Sequence, residues 1–374
     1  MSPRQLSSPR RKLIAALTLA VAALVVWIGV SPPRPLEAAT LLYELATSRV
    51  PDATPASMSW AANGRRYSGD LYGGMDARAA LLLVPGAAET GKDDPRLVAF
   101  ARGLAAHRFL VLVPDLPGPK ALRIGREDIG EIADSAAYLA TTFGGRGPLG
   151  IAAISYGVGP AILAARDAQL QGKVSFVVAT GGYYNTTSVV TFFTTGFWRE
   201  SDGDPWRHGK PNAYGKWVFV LANAARLDDG GDRVLIDGIA RAKLRDLRAD
   251  VAPAEAALGP QGRAVMALLD NRDPALVPQL IATLPVRIQD EIAALDLSNK
   301  DLSAFQPRVL LIHGRDDAIV PYSESLSLAK ALGPRARLFL LDSLSHASLT
   351  PGSLVDVWRL WLACNALLRL RDGG

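Results

Sequence analysis

Ile151-Ala152-Ala153-Ile154-Ser155-Tyr156-Gly157-Val158-Gly159-Pro160 is the stretch that decides the fold. The apolar run Leu149–Ile154 predicts a buried strand, and residues 160–167 have helical character. A strand, a tight turn with a serine at its tip and then a helix is the context that lifts a hydroxyl clear of a sheet as a nucleophile. The small residues around the turn let strand and helix approach closely. The more frequent pattern is Gly-x-Ser-x-Gly, and here Ala153 stands at the first glycine. Taken alone, the stretch also fits a serine in an ordinary strand–helix turn, so its meaning depends on what lies elsewhere in the chain.

Outward from that turn, strands and helices alternate. Upstream, residues 68–72 read as one strand of a short hairpin, Ala79–Val84 as a continuous apolar strand, and 109–113 as the next. Between them Asp94 suits a helix N-cap and Pro95 the first helical position. Leu97, Val98, Ala101 and Leu104 would form that helix's buried stripe. A helix over 127–141 precedes the serine strand, and 174–179 is a strand after it. Strands this uniformly apolar predict an α/β fold: a mostly parallel sheet flanked by helices. At Tyr183 the alternation stops. Residues 183–303 show a polar loop and then helices at 216–225, 232–249, 261–269, 275–283 and 288–295. The rhythm resumes with strands at 309–312 and Ala336–Leu341, a helix at 323–331 and a final helix over 353–370. In that last helix Leu354, Val357, Trp358, Trp361, Leu362 and Leu368 are expected to pack on the sheet.

The N-terminus reads differently. Arg4, Arg10, Arg11 and Lys12 precede residues 13–30, which carry no charge. At 1.5 Å per residue that run spans about 27 Å, close to the hydrocarbon thickness of a bilayer. Basic residues ahead of it predict a cytoplasmic N-terminus and an exported body, periplasmic or extracellular. An uncleaved signal-anchor, forming an N-terminal transmembrane helix, is the preferred reading; a cleaved signal peptide, giving a secreted product, is the other. The expected organisation is therefore a tail and membrane segment (1–34), a linker that holds at most a short helix (35–57), the first part of the core (58–182), a helical insert (183–303) and the second part of the core (304–374).

Composition narrows the class. With 374 residues and 49% hydrophobic content the chain can bury a large core and is not a disordered protein. The net charge of +5 owes much to the N-terminal basic cluster, and no basic stripe is interleaved with aromatics, so nucleic acid is not an expected partner. The single cysteine, Cys364, excludes an internal disulfide and a Cys-rich metal site.

A serine hydroxyl needs a base to take its proton and an acid to hold that base in one tautomer. Of the four histidines, His346 lies just after the last strand. His107, at a helix end, and His208, in a polar loop, are expected to be solvated, and His313 to be structural. The acid lies in His313-Gly314-Arg315-Asp316-Asp317-Ala318-Ile319-Val320-Pro321, after the preceding strand.

The chain order Ser155, Asp317, His346, the strand-end placement of all three, and the match of 313–321 to a His-Gly-x-x-Asp-x-x-Val-Pro pattern resemble the α/β-hydrolase superfamily. The resemblance covers about residues 58–370, with the insert where that superfamily carries its lid or cap. It implies Ser155 as nucleophile, His346 as general base and acid, and Asp317, rather than Asp316, as the orienting carboxylate. It also implies an oxyanion hole made by the backbone N–H of Tyr156 and a second donor, Ala87 or Ala88. The loop that supplies the second donor often begins His-Gly, and here it is Pro85-Gly86. No metal or organic cofactor is implied. The expected activity is serine-dependent hydrolysis of a carboxylic ester with a hydrophobic acyl part, esterase- or lipase-like. A peptidase or acyltransferase of the same fold, and a non-catalytic relative that binds a lipid or partner, are the alternatives. Phe192, Phe193, Phe197 and Trp198, at the start of the insert, would line an acyl pocket, touch a membrane or form the insert's own core.

Overall fold

All residues of β3 (Ala79–Val84) and β4 (Phe109–Pro114) are buried, as strands covered on both faces must be. The computed structural model describes residues 33–123, 125–344 and 353–374. Eight strands form one sheet in the order β1-β2-β4-β3-β5-β6-β9-β10. Here β1 is Ala56–Ala62, β2 Arg65–Tyr72, β5 Leu149–Ile154, β6 Val174–Thr180, β9 Arg308–Gly314 and β10 Ala336–Leu341. β2 runs antiparallel to both β1 and β4, and every later pairing is parallel. This is the α/β-hydrolase sheet that the motifs implied.

Alternate residues along each strand feed two separate cores, as a period of two requires. Ala80, Leu82 and Val84 face α3 (Glu127–Phe143), α4 (Val158–Ala165) and α10 (Ser323–Leu332). Ala79, Leu81 and Leu83 face α1 (Arg34–Thr47), α2 (Pro95–Ala106) and α11 (Leu354–Arg371). The Asp94 side chain accepts from the Arg96 N–H and Pro95 opens α2, as read from sequence.

The stretch read as a linker begins with α1, a 14-residue helix whose Ala38, Leu41 and Leu42 are buried. It lies against α11. Arg371, only 2% exposed, donates from Nη2 to Glu37 Oε2 at 3.0 Å and from Nη1 to the His107 carbonyl at 2.9 Å. His107 is itself buried, its ring between Glu37 and Glu44 at 3.4 and 3.1 Å, which corrects the expectation that it is solvated. The last helix also departs from its reading. Of the residues expected to pack, Leu368 is buried and Trp361 and Leu362 lie against the core, joined by Leu360, Ala363 and Leu367, whereas Leu354, Val357 and Trp358 are exposed. The apolar run 13–30, expected to cross a membrane, lies outside the described residues. Among the described residues no helix is long and apolar enough to do so.

Between β6 and β9 the chain leaves the sheet. It forms α5 (Thr186–Thr195), α6 (Ala213–Ala224), α7 (Gly230–Arg245), α8 (Pro260–Asp270) and α9 (Val286–Leu295), with shorter helical turns among them. A two-residue antiparallel pair, β7 (Phe197–Trp198) with β8 (Arg207–His208), follows α5. These helices share their own apolar core, joined by Leu122 and Val320 from the sheet domain. Buried Asp232 draws the start of α8 onto α7 by accepting from Gly259 and Gly262 N–H at 2.5 and 2.8 Å. Two carboxylates pin the insert to the sheet domain. Glu324 Oε2 accepts from the Tyr184 and Asn185 N–H groups at 2.9 and 2.7 Å. Glu291 accepts from Arg126 N and Nε at 2.6 and 2.8 Å.

Candidate active site

Ser155 follows the last residue of β5 at φ +58°, in the left-handed region that a residue with a Cβ occupies at a cost of about 1–2 kcal/mol. Ile154 before it is extended and Val158 after it is helical, so the reversal is confined to the serine turn. The tight approaches explain the small residues around it. A Cβ on Gly159 would sit 2.0 Å from the Tyr183 hydroxyl, and one on Gly157 would sit 3.3 Å from the Pro85 carbonyl oxygen. Ala153, at the position more often glycine, fits in regular register between Val84 and Ala179. Backbone strain of this kind persists where the surrounding structure holds it, and it concentrates at working sites.

The loop after β9 lies on the same rim, at the carboxyl ends of the parallel strands. Asp317 is 7% exposed. Its Oδ1 accepts from the Ile319 and Val320 N–H groups at 2.8 and 3.0 Å, and its Oδ2 lies 3.4 Å from His313 Nε2. His313 is fully buried between the Ser325 hydroxyl (2.7 Å from Nδ1) and the Val320 carbonyl (2.9 Å from Nε2). It is a strut of the acid turn, as expected. Asp316 has a different task. Its Oδ1 accepts from Leu344 N–H at 2.9 Å, tying the acid turn to the chain that leaves β10. The two adjacent carboxylates are thus distinguished by their partners. His346 belongs to 345–352, outside the described residues.

Tyr156 and the loop 85–90 form the other side of the turn. Ala87 and Ala88 are half-buried, and Ala87 packs against the insert's core. The Tyr156 ring also packs there, tilted against Tyr183 at 6.4 Å between centroids. Burial, reinforced by the nearby Asp317, raises the Tyr156 pKa well above that of a free phenol.

A cavity of about 80 Å³ opens beside Tyr156 and runs between α5, α6 and α9. Phe193 lines it; Phe192 is buried, while Phe197 and Trp198 are half-buried in β7. Asn223 and Glu291, which are among the polar residues of its wall, were not among the sequence candidates. The available signal for Asn223 was an amide inside the otherwise apolar run 217–224 of α6. Among the described residues no cluster of metal-ligating side chains occurs.

No protein-family model matches the chain, and no curated protein matches it. Solved structures similar to it include a membrane phospholipase A described as a bacterial virulence factor (19% identity, 97% of this chain and 99% of that one, TM-score 0.46). An esterase from the hyperthermophilic archaeon Pyrobaculum calidifontis shares 14% identity over 98% of this chain and 99% of that one, with a TM-score of 0.47. A variant of the meta-cleavage product hydrolase CumD shares 19% identity over 83% and 98%, with a TM-score of 0.44.

Proposed function

From an α/β-hydrolase fold with Ser155 and Asp317 on one rim, we propose that the chain is a serine hydrolase acting on carboxylic esters through an acyl-enzyme. The observation that carries this reading is the left-handed backbone at Ser155, a non-glycine residue held at φ +58° between a strand and a helix. Among the described residues Ser48, Asn63, Arg108 and Leu122 also have positive φ, and of these five Ser155 alone stands at the carboxyl end of a parallel strand.

In this mechanism the Ser155 hydroxyl attacks the ester carbonyl while His346 accepts its proton. Asp317, with Oδ1 fixed by two backbone donors, uses its other oxygen to orient the imidazole. The oxyanion is stabilised by the Tyr156 N–H and by that of Ala87 or Ala88; losing one such donor typically costs about 2.7–4 kcal/mol. His346 returns the proton to the leaving alcohol. Water, deprotonated by the same histidine, then attacks the acyl-enzyme and releases the acid, restoring the serine. The insert serves as the cap that shapes the acyl pocket. The apolar run 13–30, with basic residues ahead of it, supports a membrane tether with the catalytic body on the exported side.

Incubation with a fluorophosphonate probe tests the reading. Labelling of the wild type that is lost in Ser155→Ala supports it, and failure of folded wild type to label refutes it. Parallel assays on p-nitrophenyl esters and aminoacyl anilides separate an esterase from a peptidase.

A further inference from the structure

The cavity beside Tyr156 is lined almost wholly by apolar side chains, among them Val189, Val190, Phe193, Val218 and Ile292. Two of the residues that line it nevertheless carry a buried polar atom with no hydrogen-bond partner among the described residues: the Tyr156 hydroxyl and Asn223 Oδ1. Asn223 is only 6% exposed. Its Nδ2 donates to the Phe219 carbonyl at 2.9 Å, one helical turn back. A carbonyl only accepts, so this bond fixes which way the amide points and leaves Oδ1 as the unpaired acceptor. Of the other polar residues in the wall, Glu291 is already engaged, its Oε1 by Arg126 N–H and Arg226 at 2.6 and 3.0 Å and its Oε2 by Arg126 Nε at 2.8 Å, and the Thr186 hydroxyl lies 2.9 Å from Asp296 Oδ2. Asn223 also borders a smaller cavity of about 10 Å³. That space is at the lower limit for a water and lacks the further polar partners a water needs. Buried polar atoms are almost always paired, and Val220, Leu221 and Ala224 around Asn223 show that this helix accommodates aliphatic residues readily.

We propose that Asn223 determines the acyl specificity of the site. Its Oδ1 accepts a hydrogen bond from a hydroxyl or N–H carried on a short to medium acyl chain, and the Tyr156 hydroxyl supplies a second polar contact nearer the serine. The volume sets the length. A cavity of about 80 Å³, against about 10–15 Å³ on the same measure for a single water, has room for about five to eight groups of water size, so the acyl chain is short to medium rather than long-chain fatty acyl. The substrate class is therefore a short to medium hydroxyacyl or amidoacyl ester. The inference rests on the hydrolase reading above. A site built to pair a substrate hydroxyl discriminates against the analogue that lacks it, because the site's own polar group is then left buried and unpaired.

The test compares kcat/KM for p-nitrophenyl 3-hydroxybutyrate and p-nitrophenyl butyrate, with the full chain as wild type, Asn223→Leu and Tyr156→Phe. The wild type should favour the hydroxylated ester by at least about tenfold. Asn223→Leu should bring the ratio to near one, and Tyr156→Phe should lower it partway. If Asn223→Leu does not fold, Asn223→Ala carries the same expectation, and the wild-type ratio stands by itself. Equal or faster turnover of plain butyrate by the wild type, or a preference that survives at Asn223→Leu, overturns the inference and leaves the hydrolase reading standing. Fluorophosphonate labelling with turnover of neither ester overturns the acyl assignment alone. Turnover of neither ester without labelling overturns both.

Discussion

Replacing Asp317 by Asn is expected to lower kcat/KM by about four orders of magnitude while the chain stays folded. The Asn Oδ1 can accept from the Ile319 and Val320 N–H groups as the carboxylate does at 2.8 and 3.0 Å, so the turn survives. What changes is the second position, where an acceptor becomes an NH₂ donor. A histidine that must donate there is met by another donor, and the tautomer that leaves its far nitrogen basic is lost. Four decades at about 1.4 kcal/mol each amount to about 5.5 kcal/mol of transition-state stabilisation. Asp316→Asn keeps the acceptor for Leu344 N–H and is expected to stay within about tenfold of wild type, because that bond is worth only about 1 kcal/mol. Initial rates on p-nitrophenyl butyrate, with thermal melts run beside them, make the comparison. A large loss at Asp316→Asn with near-full activity at Asp317→Asn would reverse the assignment. A collapse of cooperative melting at Asp317→Asn would show that the carboxylate builds the turn rather than orienting a base.

Three further outcomes follow from particular residues. Ser155→Gly should abolish ester hydrolysis yet raise the melting temperature, since glycine adopts φ +58° without the Cβ cost of about 1 kcal/mol; a lower melting temperature contradicts the strain argument. Burial raises the Glu324 pKa to about 7 in the fold against 4.5 when free. Between those values the folded chain holds a proton that the unfolded chain has lost, so stability falls as pH rises, by about 3 kcal/mol across the window, and is level above it. Glu324→Gln keeps an acceptor for Tyr184 and Asn185 and should roughly halve the slope in urea midpoints taken from pH 4.5 to 7.5, buried Asp128, also raised to about 7, supplying the rest; slopes unchanged from wild type count against it. The full chain should sediment with membranes, and a chain starting at residue 33 should hydrolyse esters from the soluble fraction; a soluble full-length product rejects the tether.

The parts legible from sequence were those whose reasons are local. Ala79–Val84 and Leu149–Ile154 are apolar at every position because helices cover both faces of the sheet. The serine turn and the Asp94-Pro95 cap are decided by a few adjacent residues. What was not legible depends on distant partners or on propensity being overruled. α5 reads Thr-Thr-Ser-Val-Val-Thr-Phe-Phe-Thr-Thr, a β-branched and aromatic run that favours strands. It is helical because its apolar side chains pack into the insert's core while the hydroxyls of Thr191, Thr194 and Thr195 bond back to carbonyls one turn earlier. His107 is buried only because α1, remote in sequence, brings Glu37 and Glu44 to it. The apolar run at the start of α11 hid the fact that Leu354 and Trp358 face outward. Asn223 gave no motif at all; its meaning lies in a cavity that three separate helices enclose.

The seal that α1 makes with α11 carries a consequence for biosynthesis. Arg371 and Glu37 are 334 positions apart, so the part of that face that α11 covers stays open on the ribosome until α11 has been translated. Through that interval the first helix has α2 beside it but not α11, and contacts of such high sequence separation form late. A nascent or C-terminally clipped product would therefore present a greasy slab to chaperones and proteases instead of behaving as a trimmed enzyme. The docking of α11 is, for this protein, the event that closes its core.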